Sequence, residues 1–98
     1  MAKLTTVYWK GIPAQVIAKQ GRKTAKKVLS ERFAEAIDKA AMRAGMAGTD
    51  AYLEQWHRVD KNTDKDIQQA VSELSAQLEQ EFDDDRLQQL IKNGGSSE

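Results

Sequence analysis

The chain has 98 residues, no cysteine, one histidine, and 15 basic against 15 acidic side chains. That length fits one modest domain with a single core. The cysteine count excludes disulfides, zinc–thiolate sites and thiol catalysis. No apolar run approaches a membrane span, and the first residues lack the pattern of a secretory leader, so a soluble cytoplasmic protein without a membrane partner is expected.

The zero net charge conceals a separation. Residues 1–30 carry seven Lys/Arg and no acid, residues 31–59 sum to −1, and residues 60–98 sum to −6. Segregation of this kind bears on partners rather than on fold.

Residues 3–9, Lys-Leu-Thr-Thr-Val-Tyr-Trp, are rich in β-branched and aromatic types and predict a central strand. Gly11 supplies a turn. Pro13 is tolerated only at the start or edge of a second strand over residues 14–19, with Lys19 guarding that edge. Residues 21–29 read as a basic connector with a short extended piece near Lys26–Val28. Ser30 predicts the N-cap of a helix to about Ala44, in which Phe33, Ala36, Ile37, Ala40, Ala41 and Ala44 recur at helical spacing, and Gly45 stops it.

Residues 51–59 fit either a third strand or a short helix through Leu53 and Trp56. The strand is favoured, because a two-stranded hairpin is marginal by itself. A right-handed crossover places it beside the first strand, in the order 2-1-3. Thr63, with Asp66 as its capping-box partner, opens the clearest helix, whose apolar stripe is Ile67, Ala70, Val71, Leu74, Leu78 and Phe82. Asp83, Asp84 and Asp85 suit the start of a last short helix that buries Leu87, Leu90 and Ile91. The expectation is an α+β domain over residues 1–93: a small three-stranded antiparallel sheet, one packed helix and two C-terminal helices, followed by a flexible tail over residues 94–98.

The residues assign no catalytic group, cofactor or metal. His57 lacks a placeable acid and nucleophile, and the three aspartates lack the spacing of a calcium loop. What stands out is a basic, aromatic set: Trp9, Lys10, Lys19, Arg22, Lys23, Lys26, Lys27, Trp56 and Arg58. Two readings of it compete. It docks a protein partner, with tryptophan as a favoured interface anchor, or it binds nucleic acid, its cations on phosphates and Trp9 or Tyr8 stacked on a base. The bland alternative is a solvated loop with both tryptophans in the core.

Several stretches together resemble a known family. They are Val7-Tyr8-Trp9 with Ile12-Pro13-Ala14-Gln15-Val16, Leu29-Ser30-Glu31-Arg32-Phe33 with Ala36-Ile37-Asp38, Ala40-Ala41-Met42-Arg43-Ala44-Gly45, Asp50-Ala51-Tyr52-Leu53 with Trp56, and Asp85-Arg86-Leu87 through Ile91-Lys92-Asn93-Gly94. They are similar to small bacterial proteins of the "virulence factor" family. The resemblance implies a relation to a segment of the longer conserved virulence factor C proteins. It also implies a place near one-carbon and corrinoid methyl-transfer genes, and hence an accessory role to such enzymes as a third reading. It supplies no catalytic residue and no cofactor.

Overall fold

The computed structural model describes residues 2–95. Four strands and four helices come in the order β1 (Ala2–Trp9), β2 (Ile12–Gln20), β3 (Lys23–Val28), α1 (Glu31–Arg43), α2 (Asp50–Glu54), β4 (Trp56–Thr63), α3 (Ile67–Glu81) and α4 (Asp84–Lys92). The sheet is antiparallel throughout, ordered β3-β2-β1-β4. The α+β class and the arrangement of two strands around β1 agree with the sequence expectation. The strand count does not: the described residues form four strands, not three.

The added strand is β3, within the stretch read as a connector. Only Ala25 of its six residues is buried, so no apolar alternation marks it in the sequence. Gly21, at φ 59°, opens the two-residue turn that pairs Gln20 with Lys23. β2 is therefore an interior strand, and Lys19 does not guard an edge. Pro13 sits near the start of β2, where a bulge shifts the register between Val7 and Tyr8. In the β1–β2 turn the left-handed residue is Lys10, at φ 53°, rather than Gly11. Bonds from outside hold that turn: Lys10 N–H donates to Gln55 O at 3.2 Å and Gly11 N–H to Gly95 O at 2.8 Å.

Both readings of residues 51–59 prove partly right. The chain forms the one-turn helix α2 and then switches at Trp56 to β4, which runs on to Thr63 beside β1. Thr63 thus ends a strand and does not cap α3. Asp66 is the cap, and its carboxylate accepts from the N–H groups of Gln68 and Gln69. Asp83 caps α4 in the same way through Arg86 N–H at 2.8 Å. Ser30 precedes α1 as expected, but its hydroxyl makes no bond to its own helix; it donates to Glu79 Oε1 at 2.7 Å.

One core results. α3 packs on β1, β2 and β3, setting Ile67, Ala70, Val71 and Leu78 in the same cluster as Leu4, Val16, Ala18 and Ala25. α1 packs on α4 and β2, and its small Ala36, Ala40 and Ala41 permit a close approach to the Leu87 and Leu90 side of α4. Trp9 and Ile12, fully buried, link this layer to the hairpin. Gly94 and Gly95, expected in the tail, are buried against it; residues 96–98 of that tail lie outside the described residues.

Candidate interaction surface

In a strand, alternate side chains point to opposite faces, and directly paired residues share a face. Leu4, Ala18 and Ala25 are mutually aligned through the pairs Leu4–Ala18 and Ala18–Ala25, and they lie in the core with α3. The neighbouring rows therefore point away from α3. One row reads Thr24, Lys19, Lys3, Asn62; the next Lys26, Ile17, Thr5, Asp60; the third Val28, Gln15, Val7, Arg58. Lys3, Lys19, Lys26 and Arg58 are exposed, whereas Thr5 and Val7 are buried among their neighbours and Ile17 is half-buried. The result is an open sheet face with an apolar and hydroxyl floor, four cations and one acid.

That acid, Asp60, is already engaged. Thr5 Oγ1 donates to its Oδ1 at 2.7 Å, and Lys3 Nζ lies 3.3 Å from Oδ2. The Thr5 hydrogen bond is the main reason its carboxyl is held below the usual carboxylate range, with Lys3 adding to it. Among the described residues, no ion pair joins Lys19, Arg22, Lys23, Lys26 or Lys27 to an acid. Acids of α3 and α4 engage other cations, Glu79 and Asp84 with Arg32 and Glu73 with Lys65.

The nine residues singled out from the sequence are thereby divided. Lys19, Lys26 and Arg58 share the open face. Lys23 and Lys27 alternate with Lys26 and point to the α3 side at the rim of β3, and Arg22 lies in the adjoining turn. Lys10 lies at the far turn, its ammonium 5.8 Å from the Trp9 ring centroid. Trp9 itself is enclosed, its Nε1–H donating to Tyr52 O at 2.9 Å, so it offers no ring to a ligand. Trp56 is half-buried and packs edge-on to Tyr52. It lines a depression of about 240 Å³ with Tyr52, Ile37 and Val28, and Val28 is exposed at the end of the Arg58 row.

Lys3 belongs to this face but not to the nine. Its signal in the sequence is the alternation Lys3-Thr5-Val7, which has meaning only once the pairing with Lys19 and Asn62 is known. His57 is on the helix side of the sheet, stacked on Tyr8 with centroids 5.6 Å apart and planes at 11°. Burial, with Glu81 nearby, raises the Tyr8 phenol above its ordinary value. Among the described residues no cluster of three metal-ligating side chains occurs, and no helix is long and apolar enough to cross a membrane.

No curated protein and no solved structure matches the chain. A family model described as "Virulence factor" matches residues 7–91, from the last three residues of β1 to the last turn of α4 and so well over half of the chain; the chain belongs to the virulence factor family.

Proposed function

We propose that the chain is a non-enzymatic interaction module whose open sheet face docks an acidic segment of a protein partner. The observation that carries this reading is the four-to-one excess of cations on a solvent-facing sheet whose single acid is held by Thr5 and Lys3. The four strands span about 14 Å from β3 to β4, enough to seat an extended acidic strand or one side of a helix. Steering by such a patch accelerates encounter and selects against basic surfaces. Nucleic acid is also anionic, but single-strand binders add aromatic platforms for the bases. Trp9 is enclosed and Tyr8 is stacked on His57 on the opposite face, which favours the protein partner.

The test is a titration of isotope-labelled protein, followed by NMR, with a polyglutamate peptide and separately with single- and double-stranded oligonucleotides. Polyglutamate is expected to move the amide signals of residues 3–7, 15–19 and 24–28, and the effect should fade as salt shortens the Debye length. The double reversal K19E/K26E should abolish it, while K23E/K27E, on the other side of β3, should leave most of it. These are exposed positions, so stability should change by no more than about 0.5 kcal/mol for each substitution. Unchanged binding by K19E/K26E would remove the reading. Tighter binding of an oligonucleotide at physiological salt would reassign the face to nucleic acid.

A further inference from the structure

The sheet has two edges, and their chemistry differs. Every charged side chain on β3 is a lysine: Lys23, Lys26 and Lys27. Pairing β3 with its own copy about Ala25 would set Lys23 against Lys27, so this edge repels a second chain. β4, the other edge, carries mixed charge along eight residues, Trp-His-Arg-Val-Asp-Lys-Asn-Thr, and positions 57–62 are exposed. Among the described residues nothing pairs with its outer side. We propose that β4 pairs antiparallel with β4 of a second copy of this chain, with Val59 opposite its counterpart on the two-fold axis.

The register is set by charge. A symmetric antiparallel pair sets one residue against itself. Of the central residues Arg58, Val59, Asp60 and Lys61, three are charged and would face a like charge on the axis. Centring on Val59 instead sets Arg58 opposite Asp60 of the second copy, and Asp60 opposite its Arg58. Both pairs lie on the open face, because Arg58 and Asp60 share it. On the helix side Val59, half exposed as a single chain, meets its own copy. Lys61 comes opposite His57, and Asn62 opposite Trp56. The dimer joins two sheets edge to edge, so the two basic faces become one continuous surface. This inference does not depend on what that surface binds.

Sedimentation equilibrium of the wild-type chain, from about 10 μM to about 1 mM, should show a reversible monomer–dimer equilibrium. R58D turns both cross-strand pairs into facing carboxylates, and D60R turns both into facing guanidinium groups; each alone should raise the dissociation constant at least about tenfold. Mixing the two variants restores opposite charges across the axis and should yield a heterodimer. D60R also loses the contacts to Thr5 and Lys3, so its fold is checked by circular dichroism. Should D60R fail to fold, R58D and a cysteine probe decide the matter. Because the chain has no cysteine, V59C offers a single thiol beside its copy and should oxidise readily to a covalent dimer, whereas K26C, on the repelling edge, should not. A wild-type chain that stays monomeric throughout the range, an undiminished R58D dimer, or V59C that cross-links no faster than K26C would each overturn the proposal.

Discussion

Replacing Trp9 with alanine is expected to lower stability by about 3–5 kcal/mol, the usual cost of emptying a large buried aromatic site. Against a total of about 5–15 kcal/mol for a domain of ordinary stability, that brings unfolding into the range of moderate heating or denaturant. The ring is fully enclosed. Tyr52 tilts over it with centroids 5.6 Å apart, its indole N–H donates to Tyr52 O, and Gly95 lies against its six-membered ring. W9F keeps most of the volume and loses the hydrogen bond, so it should cost only about 1–2 kcal/mol. Gly95 tests the joint from its other side. A Cβ there would lie 2.6 Å from Trp9 Cζ3, on a backbone at φ +94°. G95A is therefore expected to be destabilising by about 1–3 kcal/mol. At Gly48, φ +75°, an added Cβ meets nothing within 4 Å, and G48A should show only the backbone part. Removing Trp9 relieves the steric part at Gly95, so the double variant W9A/G95A should lose less than the sum of the single losses. Urea denaturation measures all of these; strict additivity would contradict the contact between Trp9 and Gly95.

That joint also shows where a sequence stops being readable. The apolar stripe from Ile67 to Phe82 and the strand character of residues 3–9 are local patterns, and both elements form as expected. What closes over Trp9 is a glycine 86 positions away, with α2 between them in the chain, and no local pattern announces such a contact. β3 is illegible for another reason. An edge strand with one face open needs few apolar residues, and Ala25 alone meets the core. Without that strand its lysines cannot be sorted by alternation, so Lys23, Lys26 and Lys27 read as one group although Lys26 points away from the other two. The two possible caps, Thr63 and Asp66, stand three residues apart, and both are chemically apt. β4 claims Thr63 through its pairing with Ala2, leaving Asp66 to start the helix. Charge is legible, whereas the face it occupies is a property of pairing.

The substitution R32A is expected to cost about 2–3 kcal/mol, since a partly buried charged group with several hydrogen bonds is lost. Arg32 joins the start of α1 to the end of α3. It donates to Phe82 O, to Glu79 O at 2.6 Å and to Glu79 Oε1 at 3.1 Å. Its guanidinium also lies 4.5 Å from the Phe33 ring centroid. Phe82 and Glu79 supply carbonyls from the last turn of α3, which have no partner within that helix. Glu79 in turn takes the place of a side-chain cap for α1, accepting from Ser30 N–H at 2.8 Å and from Ser30 Oγ at 2.7 Å. Partial burial pushes its carboxyl up, but the Ser30 and Arg32 hydrogen bonds outweigh this and hold it below the ordinary glutamate value of 4.5. A carboxyl whose pKa is lower in the folded chain stabilises most above its unfolded value. That stabilisation is lost as pH falls through the folded value. E79Q should therefore be less stable than wild type at about pH 7, with the difference shrinking as pH falls towards about pH 3. Asp60 and Glu73 are also held low, by Thr5 and Lys65 respectively, but both remain in E79Q and drop out of the comparison. A stability gap that stays constant with pH would mean that Glu79 acts by shape and not by charge. A gap that closes would place the ion pair between the helices. Glu79 and Asp84 would then be holding α1 to α3 and α4 through Arg32, leaving Lys19 of β2 and Lys26 of β3 free on the open face.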